Sequence, residues 1–136
     1  MAVAGYSGTP LLKKLGIQPG MKLYLVHAPK EYSDWLKFDV SRQLIAKPDV
    51  PDLVHLFAAN EKIFISEMKQ LLPLCRKNPK LVIWVSWYKK SAGIPTDLTE
   101  DVIRNWALKN SLVDVKVCAV SESWSGLKLV VPLSKR

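Results

Sequence analysis

Two uninterrupted apolar runs, Leu53 to Ala59 (LVHLFAA) and Leu81 to Trp87 (LVIWVSW), restrict the folds open to this chain most sharply. Each has the length of a strand, and neither alternates with polar residues. A strand of that kind is covered on both faces, as in a parallel sheet flanked by helices. The segment between them has the matching helical pattern. Asn60 can cap a helix reaching to about Leu74, with Phe64, Met68, Leu71, Leu72 and Cys75 spaced at i, i+4, i+7, i+8 and i+11. Pro73 is expected to kink or end it. Strand, helix, strand is the crossover unit of an α/β sheet.

The remaining segments extend that unit. Thr9 can cap a short helix with Pro10 at its first position, Leu11, Leu12 and Leu15 facing inward and Gly16 stopping it. After the Pro19-Gly20 turn, Met21 to His27 (MKLYLVH) reads as the first strand, ended by Ala28-Pro29. Glu31 to Phe38 reads as a short helix burying Tyr32, Trp35 and Leu36. Arg42 to Ala46 is a candidate edge strand, and Pro48 and Pro51 break the segment between it and Leu53. Beyond the central strand, either Asp97 or Thr99 can cap a second long helix running to about Asn110 and burying Val102, Ile103, Trp106 and Ala107. Asp97 with Glu100 fits a capping box, and Glu100 and Asp101 suit the helix's positive end. Val113 to Val120 alternates, so one of its faces is less buried, and Trp124 to Pro132 completes the chain. The short Ser121-Glu122-Ser123 connection makes those two strands antiparallel.

A length of 136 residues suits one domain, 1–136, with a sizeable core, and 49% hydrophobic against 24% charged residues is globular composition. The excess of 20 Lys+Arg over 12 Asp+Glu gives a net charge of +8, which favours anionic partners. The lysines are scattered, however, and the plain alternative is a solvated basic surface. Cys75 and Cys118 read as small core residues of a reducing compartment. With His27 and His55 they are too dispersed for a metal-ligand pattern. The first residues lack the apolar core of a signal peptide, and no apolar run approaches the ~20 residues of a membrane span. A cytoplasmic protein without membrane contact is expected.

The order of elements, with its antiparallel finish, resembles a shortened class I methyltransferase domain of the S-adenosylmethionine-binding type. Leu15-Gly16-Ile17-Gln18-Pro19-Gly20 is similar to the lead-in of those domains, and Leu72 to Trp87 to their later half. The resemblance implies a three-layer, Rossmann-like, mostly parallel sheet with an antiparallel last strand. It also implies the order Met21–His27, Leu53–Ala59, Leu81–Trp87, Trp124–Pro132, Val113–Val120, the Trp124 strand inserting antiparallel between its neighbours. A second resemblance is to small bacterial proteins of unknown function carrying GYSGTP, W-x-K-K-S-x-G-x-P-T-D-L-T-E and W-S-G-L-K-L. Here these are Gly5 to Pro10, Trp87 to Glu100 and Trp124 to Leu129, with Tyr88 where proline is usual in that pattern. It supports fold and domain extent and brings no known activity.

A cofactor site of the Rossmann kind needs glycines in the first strand-to-helix turn, so that backbone can approach the ligand. That turn reads Val26-His27-Ala28-Pro29-Lys30, and no glycine occurs between Gly20 and Gly93. No cofactor is therefore expected, and S-adenosylmethionine should not bind appreciably. Interest moves to the loop after the central strand. Lys89, Lys90 and Ser91 with Thr96, Asp97 and Thr99 form a candidate anion site beside a helix N-terminus, whose N–H groups attract negative charge. The alternative is a helix cap with two solvated lysines. Tyr6 and Ser7, His27, and Trp124 with Ser125 are candidate rim residues. Each also has a plain reading. Tyr6 and Ser7 simply precede the first helix, Trp124 anchors the core, and His27 has no assignable partner for acid–base work. His55, inside an apolar run, reads as a hydrogen-bonded core residue.

Three functions compete. The first is a non-catalytic binding or regulatory module recognising an anionic small molecule or an acidic protein surface. The second is an enzyme, either a divergent methyltransferase or a transferase acting on a phosphorylated substrate; a pocket uniting His27, Lys89 and Asp97 would favour it. The third is nucleic-acid binding, motivated by charge alone, since no nucleic-acid-binding module accompanies it.

Overall fold

The computed structural model describes residues 9–136. In chain order the elements are α1 (Leu11–Leu15), β1 (Leu23–Val26), α2 (Tyr32–Leu36), β2 (Leu53–Phe57), α3 (Glu61–Lys77), β3 (Val82–Tyr88), α4 (Glu100–Lys109), β4 (Val113–Ala119) and β5 (Trp124–Val130). The five strands form one sheet in the order β1-β2-β3-β5-β4, the order expected from the sequence. β1, β2 and β3 are parallel, and β5 runs antiparallel to both its neighbours. Every residue of β2 is buried, as its unbroken apolar run demands.

Two cores lie on opposite faces of this sheet. On one, Phe64, Met68 and Leu71 of α3 and Ile103 and Ala107 of α4 pack against Val54, Leu56, Ile83, Val85, Leu127 and Leu129. On the other, the short α1 and α2 cover Leu23, Leu53, Phe57, Trp84 and Trp124 with Leu15, Tyr32 and Leu36. Trp84 is fully buried and donates its indole N–H to the Leu15 carbonyl at 2.9 Å, which fixes α1 over the middle of the sheet. Gly16, left-handed at φ 77°, ends α1 as expected.

Several boundaries differ from the sequence reading. Pro10 stands at the N-cap of α1 and no side chain caps that helix, so Thr9 does not. The Arg42–Ala46 segment contributes only a single bridge, Leu44 to Leu23, because the chain turns on either side of it. Pro73 does not end α3, which continues to Lys77. Pro73 and Lys69, four residues earlier, are both exposed, so the carbonyl deprived of its donor lies on the solvent side. β1 stops at Val26 because His27 adopts a left-handed conformation, φ 57°. The β4 edge carries a bulge between Asp114 and Lys116, an irregularity that, with the charge of Lys116, protects an open edge from pairing.

Candidate functional site

The carboxyl ends of β2 and β3 open onto a loop whose course is set by its own polar groups. β3 leaves the sheet at Tyr88, and the Lys89 N–H bonds the Ser123 carbonyl at 2.9 Å. One 3-10 turn, Lys90–Ala92, follows and is closed by Gly93 at φ 69°. Thr96 then donates its hydroxyl to the Ala59 carbonyl at 2.7 Å and accepts the Leu98 N–H at 3.1 Å. Leu98 is buried and anchors the loop to the core of the α3/α4 face.

Asp97 does not cap its own helix. Its carboxylate accepts the N–H of Glu61, at the start of α3, at 2.8 Å. Thr99 caps α4, accepting the Val102 N–H at 3.2 Å, and Asn60 caps α3, accepting the Ile63 N–H at 2.9 Å. The capping box expected from Asp97 and Glu100 is therefore not formed. The spacing fits, but a helix start from another part of the chain claims the carboxylate first. The result is a loop stitched to the β2–α3 junction at Thr96 and Asp97.

Against this loop lies a cleft of about 720 Å³, within the size range of small-molecule sites. Trp87, Tyr88, Ile94, Pro95 and Leu98 give it apolar walls, and Lys89, Lys90, Thr96 and Thr99 line it as well. Glu100 and Asp101 complete the lining, but both pair with Arg104, which also donates to Asp114 at 3.0 Å. Asp114 and then Glu100 hold the guanidinium firmly charged. Arg104 offsets one of the three negative charges it pairs with, and Lys89 and Lys90, which form no salt bridge among the described residues, are the cleft's cationic side chains. Lys89 is half-buried; desolvation lowers its pKa, repulsion from Lys14 lowers it further, and Glu122 works in the opposite direction.

The other predicted residues scatter. Ser91 is exposed in the 3-10 turn, and Asp97 is exposed on the far side of its own bond; neither lines the cleft. His27 lies at the end of β1, where Nε2 meets the Glu67 carboxylate of α3 at 2.8 Å. The histidine side chain is 55% exposed, so this is a surface pair. Trp124 is buried edge-on to Phe57 and beneath Tyr88, with ring centroids at 5.0 and 4.2 Å, and so acts as a core anchor. Ser125 follows it in β5. Tyr6 and Ser7 lie outside the described residues.

His55 is the hydrogen-bonded core residue that the sequence suggests, with partners the sequence reading did not name. His55 is fully buried; its Nδ1 is 2.8 Å from the Tyr32 hydroxyl and its Nε2 2.8 Å from the Ser86 hydroxyl. A neutral imidazole meets both partners, since one ring nitrogen donates and the other accepts. Burial holds the ring neutral, with its pKa pushed down to about 3, and raises that of Tyr32. The alternation of β2 between the two cores places His55 on the α2 side, but nothing in the spacing names Tyr32 as its partner. Among the described residues no three His, Cys, Asp or Glu side chains gather as a metal site, and no helix is long and apolar enough to cross a membrane.

No protein-family model and no curated protein sequence matches the chain. Solved structures do share its fold. A protein of the NADB-Rossmann superfamily from Streptococcus agalactiae superposes with a TM-score of 0.53 at 12% identity, covering 90% of this chain and 68% of that one. The B. subtilis M1A22 tRNA methyltransferase TrmK superposes at 0.50 with 9% identity, covering 91% of this chain and 66% of that one. This chain thus spans about two thirds of the length of either neighbour. At such identities the likeness establishes a Rossmann-like, methyltransferase-like α/β scaffold and nothing about chemistry.

Proposed function

We propose that this protein is a non-catalytic binding or regulatory module, one domain over residues 1–136 acting in the cytoplasm, that recognises a small anionic ligand. The ligand combines a flat apolar part with a negative group and sits in the cleft between β3 and α4. The observation that carries this reading is the pairing of Lys89 and Lys90 with apolar walls in one cleft. Neither lysine forms a salt bridge among the described residues, while Glu100 and Asp101 both pair with Arg104. The apolar walls suit the flat part, and the N-terminus of α4 adds its positive potential. The likeness of Trp87–Glu100 and Trp124–Leu129 to the small bacterial proteins of unknown function belongs to the same proposal, since the first motif supplies most of the cleft.

Two observations count against the enzymatic alternative. His27 and Asp97 do not line the cleft with Lys89. The turn after β1 has His27, Ala28 and Pro29 where a cofactor-binding turn has glycines.

A thermal-shift panel of S-adenosylmethionine, nucleotides and phosphorylated sugars tests the proposal. A ligand at a hundredfold its Kd stabilises by about 2.7 kcal/mol. The Lys89→Ala/Lys90→Ala variant should fold with stability within about ±0.5 kcal/mol of the parent. It should bind the stabilising anion more weakly by about 1.5–3 kcal/mol for each charged hydrogen bond removed. Equal stabilisation of parent and variant would refute the site. S-adenosylmethionine as the strongest ligand would refute the module.

A further inference from the structure

The α1 side of the β4–β5 half of the sheet is a second cationic surface, and it is built against its own stability. Lys128 of β5 stands opposite Trp84 on one neighbour and opposite Lys116 on the other, so both lysines share the face on which Trp84 packs beneath α1. Like charges directly opposite across antiparallel strands destabilise a sheet. The Lys116 ammonium reaches the Lys14 carbonyl at 3.3 Å, which brings α1 and its lysine into the same group. The neighbouring Cys118 reports the same crowding: burial raises its thiol pKa, whereas Lys14, Lys116 and Lys89 lower it. Asp114, the carboxylate of β4, faces the other way, opposite Leu129 and bonded to Arg104.

We propose that this face docks the backbone of a single-stranded nucleic acid, with Lys14, Lys89, Lys116 and Lys128 taking successive phosphates. Lysines are flexible point charges suited to phosphate contact without base readout. Lys116 and Lys128 stand opposite each other on adjacent strands, Lys14 lies in α1 and Lys89 follows β3. The charges are thus spread over several elements rather than gathered at one point, which suits an extended polyanion better than a compact phosphate. Half-exposed Tyr88, stacked on Trp124 next to Lys89, offers the aromatic surface on which an unpaired base stacks. This surface shares Lys89 and Tyr88 with the cleft, so its test leaves both in place.

Fluorescence anisotropy with a labelled oligouridylate decides the matter. The full chain should bind, and Lys116→Gln/Lys128→Gln should weaken binding by about tenfold at low salt. The slope of log affinity against log salt should fall by about 0.7 for each lysine removed. Lys62→Gln/Lys69→Gln takes the same charge from α3 on the opposite face and should bind as the parent does. The melting temperature of Lys128→Gln should rise, because a like-charge pair is relieved. Absence of binding, or equal weakening of both double variants, overturns the proposal. So does polyglutamate binding as tightly as the oligouridylate, which would assign the face to an acidic protein. A fall in the Lys128→Gln melting temperature would make Lys128 a structural residue and remove the basis of the argument.

Discussion

The two faces of the sheet differ in kind. Under α3 and α4 the core is aliphatic with a few rings, and its helices are long enough to cover it. Under α1 and α2, two helices of five residues each cover three large aromatic side chains, Phe57, Trp84 and Trp124, and a buried histidine, with lysines at the flank. The first face is held by apolar area. The second depends on specific partners, because each buried polar group there needs its hydrogen bond. The two surfaces proposed for ligands lie along the second face and at the carboxyl edge, where the first face ends in the cleft.

That contrast can be broken by substitution. Phe64→Ala, deep in the α3 face, should destabilise by about 3–5 kcal/mol at every pH in urea denaturation. A markedly smaller value would mean that the thick face is not the main source of stability. His55→Phe should cost about 1–3 kcal/mol for each hydroxyl it strands, those of Tyr32 and Ser86. It should also remove a pH dependence. His55 in the folded chain protonates only near pH 3, but in the unfolded chain near its ordinary 6.5. Below pH 6.5 the unfolded state therefore binds the extra proton, so stability falls as pH falls from about 6.5 toward 3. The slope is at most about 1.4 kcal/mol per pH unit. Parent and variant with the same slope would refute the buried neutral ring.

Smaller effects sharpen the comparison. Gly126→Ala puts a methyl 3.0 Å from Val120 Cγ2 and 3.2 Å from Trp84 Cε3 on the aromatic face. Overpacking there should cost about 1–3 kcal/mol, read from the shift in denaturation midpoint. His27→Gln breaks only an exposed pair with Glu67 and should change stability by about 0–1 kcal/mol. A larger loss would mark the β1 turn as a structural keystone.

The sequence made some of this legible and hid the rest for identifiable reasons. The buried strands followed from the unbroken runs at Leu53 and Leu81, and the antiparallel final pair from the short link between Val120 and Trp124, since both are local signals. The placing of the Trp124 strand beside β3 came from the resemblance to methyltransferase domains. The partner of Asp97 did not, because its capping-box spacing is satisfied on paper while the Glu61 N–H is 36 residues away in sequence. Thr96 likewise spends its hydroxyl on Ala59, which no local pattern indicates. Glu67 looks like an ordinary solvated helix residue until β1 and α3 are brought together. Lys116 is the one charge interrupting VDVKVCA after Asp114, but its match with Lys128 needed the register of the hairpin and its bulge. Patterns within one element were readable, whereas pairings across elements were not.

The cleft reading is tested most directly by backbone amide shifts in two-dimensional NMR during titration with adenosine 5′-monophosphate, a ligand with a flat ring system and an anionic group. Perturbations should concentrate between Lys89 and Thr99 and leave the turn from His27 to Glu31 unmoved. Perturbations centred on His27 to Glu31, or none along the β3–α4 loop at saturating ligand, would contradict it.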